Sequence, residues 1–321
     1  MPGMMTKSLF GAIIVVFAAA TSGRASADDL LRLAIGQRGL WDSSIAEIGQ
    51  AAGIFRRGGL QLQIVYTSGG GETQQAVISG SVDIGVAAGT LGVLGAYAKG
   101  APVRIIAAEA TGTAEYYFVR ADCPVAKDFA GVAANMTLAY STAGSGTHIT
   151  ALRLMKERKF TAKLTATGSV PATFTQVMSG QVDIGFSTPP FGLDAIESGQ
   201  IRLIALANDL ASIRNQTVRV IIANAADLAR RREIYRRFIR AYGETIEWMY
   251  ADDGAIAAFA RYAAISPATA RRVREDFYPK AMLRLDRVMG LAELIEDAIA
   301  FKYMGQPLTP TQTAELLQTP P

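Results

Sequence analysis

Residues Thr67 to Val86 read TSGGGETQQAVISGSVDIGV, and residues Thr167 to Phe186 read TGSVPATFTQVMSGQVDIGF. Nine of these twenty positions match without a gap: Thr67/Thr167, Thr73/Thr173, Val77/Val177, Ser79/Ser179, Gly80/Gly180, Val82/Val182, Asp83/Asp183, Ile84/Ile184 and Gly85/Gly185. Chance would supply about one, and an interval of about 100 residues is too long for a solenoid repeat, so the chain carries a duplicated domain. The flanks agree. Leu31–Ile35 and Met136–Tyr140 are apolar strand runs, followed by small-residue loops (Gly36–Ser43 and Ser141–Thr147). Helical periodicity then runs through Ile45, Ile48 and Ala52 in one copy and Ile149, Leu152 and Met155 in the other. Each copy continues with a strand (Leu60–Tyr66; Ala162–Ala166), a short helix and the VDIG strand. Strands alternating with helices predict an α/β chain built from two doubly wound parallel sheets.

The second copy closes near Ile201–Leu206. Thr217–Ala223 is a further strand, and the remainder to Leu317 is helical in pattern, with Ile234, Phe238, Tyr242, Ile246 and Met249 along one face. The predicted organisation is a leader (1–27), lobe one (28–117 with 216–321) and lobe two (118–215). Chain crossings are expected near Val119–Ala121 and Arg214–Gln216. Two crossings make a hinge. Asp83 and Asp183 are expected to satisfy local backbone donors beside the Gly80 and Gly180 turns. They lie in different repeats without an acidic or histidine partner, which argues against paired catalytic acids.

The leader has a basic start (Lys7), an apolar run from Leu9 to Ala20 and the A-x-A pattern Ala25-Ser26-Ala27, which predicts cleavage after Ala27 and export to the periplasm. Twelve apolar residues are too few to span a bilayer. Removing the leader takes Lys7 and Arg24 and no acid, so the formal charge falls from +4 to +2. That is too mild for a nucleic-acid partner. A single cysteine, Cys123, forbids an internal disulfide, and a single histidine, His148, excludes zinc sites of the Cys/His type. No metal or cofactor is expected. Trp248 is expected in the core. The run Arg230–Arg240 reads as a solvated helix face, and the absence of heptads points to a monomer.

Ligands of open α/β sheets bind beyond the carboxyl ends of the strands. Those ends carry Gln37 to Trp41, Ser68 to Gly71, Gly89 and Thr90 in lobe one, and Ser141 to Thr147 and Thr188 in lobe two. Gly144-Ser145-Gly146-Thr147 stands directly before a helix, where free N–H groups and the helix dipole favour an anion. Simple capping by Ser145 is the alternative. His148 follows and either lines the cleft or packs; Trp41 forms either a cleft wall or a cap over the core.

The leader, the GSGTH loop before a helix, the GSVDIG and GQVDIG units and the two crossings together resemble the solute-binding proteins of ABC importers, in the nitrate/sulfonate/taurine branch that also holds receptors for the pyrimidine precursor of thiamine. The resemblance spans Asp28 to about Tyr303. It implies the two-lobed periplasmic-binding-protein fold of type II, a small organic anion of the sulfonate or taurine kind held between the lobes, and delivery to an inner-membrane permease. It implies no catalysis. It places ligand contacts on Gln37, Trp41, Ser68, Gly69, Gly70, Gly89, Thr90, Ser141, Gly144, Ser145, Gly146, Thr147 and Thr188, with His148 beside them. The alternatives are an enzyme of the same fold acting on a thiamine-pyrimidine metabolite, and a ligand-sensing receptor subunit.

Overall fold

A computed structural model describes Gly3 and residues 28–319, so the leader falls outside the described residues apart from Gly3. Ten strands follow in chain order: β1 (Asp29–Gly36), β2 (Leu60–Thr67), β3 (Ile84–Gly89), β4 (Val103–Thr111), β5 (Tyr116–Arg120), β6 (Thr137–Tyr140), β7 (Lys163–Ala166), β8 (Gly185–Ser187), β9 (Ile201–Leu206) and β10 (Thr217–Asn224). The helices that position the site are α1 (Gly70–Ile78), α2 (Gly146–Arg158), α3 (Val170–Met178), α4 (Arg232–Ala251) and α5 (Leu291–Ala300). No described helix is long and apolar enough to cross a membrane.

One sheet has the order β2-β1-β3-β10-β4. In the other region β8-β5-β9 and β6-β7 pair separately, and a parallel bridge from Leu138 to Ile184 joins them in the order β7-β6-β8-β5-β9. The two orders are the same, as a duplication requires. The sheets are not wholly parallel: β10 runs antiparallel to β3 and β4, and β5 antiparallel to β8 and β9. Connectivity explains this. The parallel strands end at the seam between the sheets, whereas β5 and β10 begin there because the chain has just crossed. The first crossing lies between Thr111 and Tyr116, ahead of the expected Val119–Ala121, which falls in and just after β5; the second lies between Arg214 and Thr217.

Both faces of the first sheet are covered. Along β10 the period-two alternation sends Ile221 and Ala223 into one apolar cluster and Val220 and Ile222 into another. The inner face of α4 contributes Tyr235, Phe238, Tyr242, Ile246 and Met249 to the first cluster, while its arginines stay outside. Trp248 packs partly buried against it. The second sheet has its own core, including Phe118, Leu138, Val177 and Phe186, with Cys123 half-buried at its margin.

The nine matched positions have duplicated roles. Thr67 and Thr73 hydroxyls lie 2.7 Å apart, and Thr167 and Thr173 2.6 Å apart. Ser79 and Ser179 each donate to a helical carbonyl at 3.1 Å. Gly80 and Gly180 turn with φ of 75° and 76°. A Cβ at Gly85 or Gly185 would stand 2.8 Å from the Val77 or Val177 methyl. Asp83 accepts from Arg32 N at 2.8 Å and Asp183 from Thr137 N at 2.8 Å. The aspartates thus serve backbone donors of a neighbouring strand, not the local turn, and pin strand to strand.

Candidate functional site

A cavity of about 50 Å³ lies at the seam, where the mouths of both sheets meet. Gln37, Ser68, Gly69 and Gly70 line it from the first sheet, and Ser141, Ser145, Gly146, Thr147 and Thr188 from the second. Ser145 caps α2 by accepting from His148 N at 3.2 Å. Its hydroxyl forms a triangle with those of Ser141 (3.0 Å) and Thr147 (2.9 Å), while Thr147 Oγ1 accepts from Ser141 N at 2.8 Å. Capping and cavity-lining are therefore compatible, since the first-turn amides of Gly146 and Thr147 have no intrahelical acceptor. Gln37, in the left-handed region at φ 70°, accepts from Val170 N at 3.1 Å, tying its loop to the start of α3. Ala87, another wall residue, is held at φ 63°. Non-glycine residues in that region store strain, which persists where the surroundings over-determine it.

The two regions touch tightly. Gly71 N donates to Thr142 Oγ1 at 3.1 Å. A side chain at Gly69 would meet Ser141 Oγ at 2.6 Å, one at Gly71 would strike Ala143 O, and one at Gly89 would strike Gly144 O. Behind the seam, Arg153 on α2 forms a buried ion pair with Asp297 on α5, joined by Lys156 Nζ at 3.3 Å.

Five expected contacts lie elsewhere. Trp41 is fully buried in the first core, 4.9 Å edge-on to Phe259, with Nε1 donating to Tyr250 at 3.0 Å. An indole needs a large apolar socket and one acceptor, and the helical region supplies both. Gly89 and Gly144 form the seam itself. Thr90 is buried, with its hydroxyl on Thr217 O at 2.6 Å. His148 stacks on Tyr140 with ring centres 4.2 Å apart, and its Nδ1 meets Tyr303 Oη at 2.7 Å and Gly144 N at 3.3 Å. With Nδ1 accepting, the ring proton sits on Nε2, and burial lowers the pKa of His148.

The wall residues missing from the sequence analysis carry the charge. Arg219, near the start of β10, lines the cavity together with Thr113 and Glu115 of the first crossing. Arg219 and Asp42 are at ion-pair distance, but donor and acceptor are not aligned for a hydrogen bond, and Arg219 Nε has no partner among the described residues. Glu109 Oε2 accepts from Ala87 N at 2.6 Å, while its Oε1 has no partner among the described residues. Burial pushes Glu109 up to about 8, against the opposing pull of Arg219, and Glu115 up to about 7, against Tyr117 and Arg219. Burial disfavours the Arg219 charge, but Asp42 and Glu109 outweigh it and hold the guanidinium firmly protonated. One signal in the sequence was readable: Arg219 is the lone charge in TVRVIIA, and Glu109 interrupts VRIIAAEAT. A buried charge needs a partner or a ligand.

A model of the NMT1/THI5-like family matches residues 45–255. No curated protein matches. Among solved structures, the chain is similar to the alkanesulfonate-binding protein SsuA from Xanthomonas axonopodis pv. citri bound to MOPS, with TM-score 0.73, 17% identity, and 91% of this chain and 98% of that one covered. It is also similar to the periplasmic aliphatic sulphonate binding protein SsuA from Escherichia coli, with TM-score 0.66, 18% identity and coverage of 88% and 91%. The periplasmic nitrate-binding protein NrtA from Synechocystis PCC 6803 aligns with TM-score 0.66, 13% identity and coverage of 89% and 84%. The shared fold is that of periplasmic binding proteins.

Proposed function

This chain belongs to the NMT1/THI5-like family, and from that premise we propose that it is the solute-binding component of an ABC importer. It is exported, monomeric, and captures a small organic anion of the sulfonate class for a membrane permease. The observation that carries the reading is the composition of the seam cavity. The lining brings together the Arg219 guanidinium and, packed beside its stem at Gly146, the amino end of α2 with three hydroxyls. Both are donors, and both suit an oxoanion.

The two sheets with their helices act as lobes, and the crossings 112–115 and 215–216 are the hinge. A ligand gripped from both sides has differential affinity for the closed arrangement and draws the equilibrium toward it. Closure reshapes the outer surface, which a permease can recognise. His148, the residue that the enzymatic reading needed, does not line the cavity.

A thermal-shift panel of ethanesulfonate, taurine, nitrate and a thiamine pyrimidine tests the proposal. A bound anion at a hundredfold excess over its Kd stabilises by about 2.7 kcal/mol. A shift from the pyrimidine with none from any anion would overturn the assignment.

A further inference from the structure

We propose that this site takes up its anion together with a proton, and that Glu115 holds it, which makes Glu115 a specificity-determining residue. The inference rests on the anion-binding reading above. Glu115 and Arg219 are the two charged side chains on the described cavity wall. Glu115 is only 3% exposed, and its main chain is fixed at both ends: its N–H donates to Thr113 Oγ1 at 3.2 Å and its carbonyl accepts from Ala207 N at 2.9 Å. Tyr117 Oη donates to Oε1 at 2.5 Å, and among the described residues no donor serves Oε2. The Tyr117 bond holds the carboxyl in this position.

An ionised Glu115 beside a sulfonate would set two like charges together in a site shielded from water. A protonated Glu115 becomes a donor to the anion instead, matching the other walls. The groups facing it do not relieve the conflict. Tyr117 is held neutral by its burial. Arg219 pulls Glu115 down, but its charge is shared with Asp42, Glu109 and Tyr278, and burial prevails. Burial has already raised Glu115 to about 7 in the empty site, and an anion raises it further. Uptake therefore occurs near and above neutral pH. There, affinity falls by up to about tenfold per pH unit, and below about pH 6 it is flat.

Titration calorimetry in two buffers of different ionisation enthalpy, between about pH 6 and 8.5, gives Kd and the proton count together. The probes are ethanesulfonate and nitrate, anions too weakly basic to carry the proton themselves. The expected result is uptake approaching one proton near pH 8 and a falling affinity. Glu115→Gln, permanently neutral, should flatten the profile and bind about tenfold tighter than the parent at pH 8.5. Zero uptake, proton release, or an unchanged profile in Glu115→Gln would overturn the proposal while leaving anion binding intact. No binding of either probe at any pH would remove the reading beneath it as well. If Glu115→Gln fails to fold, the proton count of the parent protein decides.

Discussion

Gly71→Ala separates closure from folding. Gly71 is the second residue of α1, with helical geometry, and the atoms crowding its missing Cβ all come from the opposite lobe: Ala143 O, Thr142 Oγ1 at 2.9 Å and Ala143 C at 3.3 Å. When the lobes part, those atoms leave and the methyl stands in open space. In the open form alanine gains up to about 1 kcal/mol of helix propensity over glycine, less in a first turn. In the closed form the methyl must displace backbone, and overpacking of this kind costs about 1–3 kcal/mol. The net cost falls on closure alone. The unliganded melting temperature should hold or rise by about 2 °C, while affinity for ethanesulfonate drops about 5- to 150-fold at 1.4 kcal/mol per decade. Scanning calorimetry and isothermal titration read the two quantities on one sample. Unchanged affinity, or a fall in unliganded stability matching the loss of affinity, would refute the wedge.

Arg219→Met should abolish the anion-induced thermal shift and destabilise the fold by about 3–5 kcal/mol, because Asp42 is left buried without its partner; adding Asp42→Asn should restore stability in urea titration but not binding. Trp41→Phe should cost about 1–2 kcal/mol through the lost Tyr250 hydrogen bond and a smaller ring, with anion affinity moving less than about twofold; a large affinity loss would put the indole in the cleft after all. For Glu109, the folded protein keeps a proton up to about pH 8 that the unfolded chain releases near 4.5. Stability therefore declines as pH climbs between those values, and denaturation at about pH 5.5 and 8 should show a shallower decline in Glu109→Gln.

The architecture was legible because the repeat aligns strands, helices and turns twice over, and each match has a packing reason such as the Thr67–Thr73 and Thr167–Thr173 bonds. The loops around the cavity were legible too, because glycine and hydroxyl residues collect at strand ends. β4 and β5, which flank the first crossing, were missed. The charged heart of the site was hidden by distance along the chain: Arg219, Asp42 and Glu109 meet only after the second crossing returns β10 to the first sheet. Trp41 stayed open between cleft wall and core cap for the same reason. A strand-end loop fixes where a side chain begins, and here Tyr250 and Phe259, more than two hundred residues onward, decide which way it turns.

None of the nine twinned positions lines the cavity. What duplication preserved is the frame: hydroxyl pairs, methyl-on-glycine seats and aspartate pins. What lines the cavity sits on unmatched neighbours such as Ser68, Val170 and Thr188, and on strands that traverse from one half to the other. A chain built this way can have a handful of rim residues rewritten while the inherited skeleton goes on folding as before.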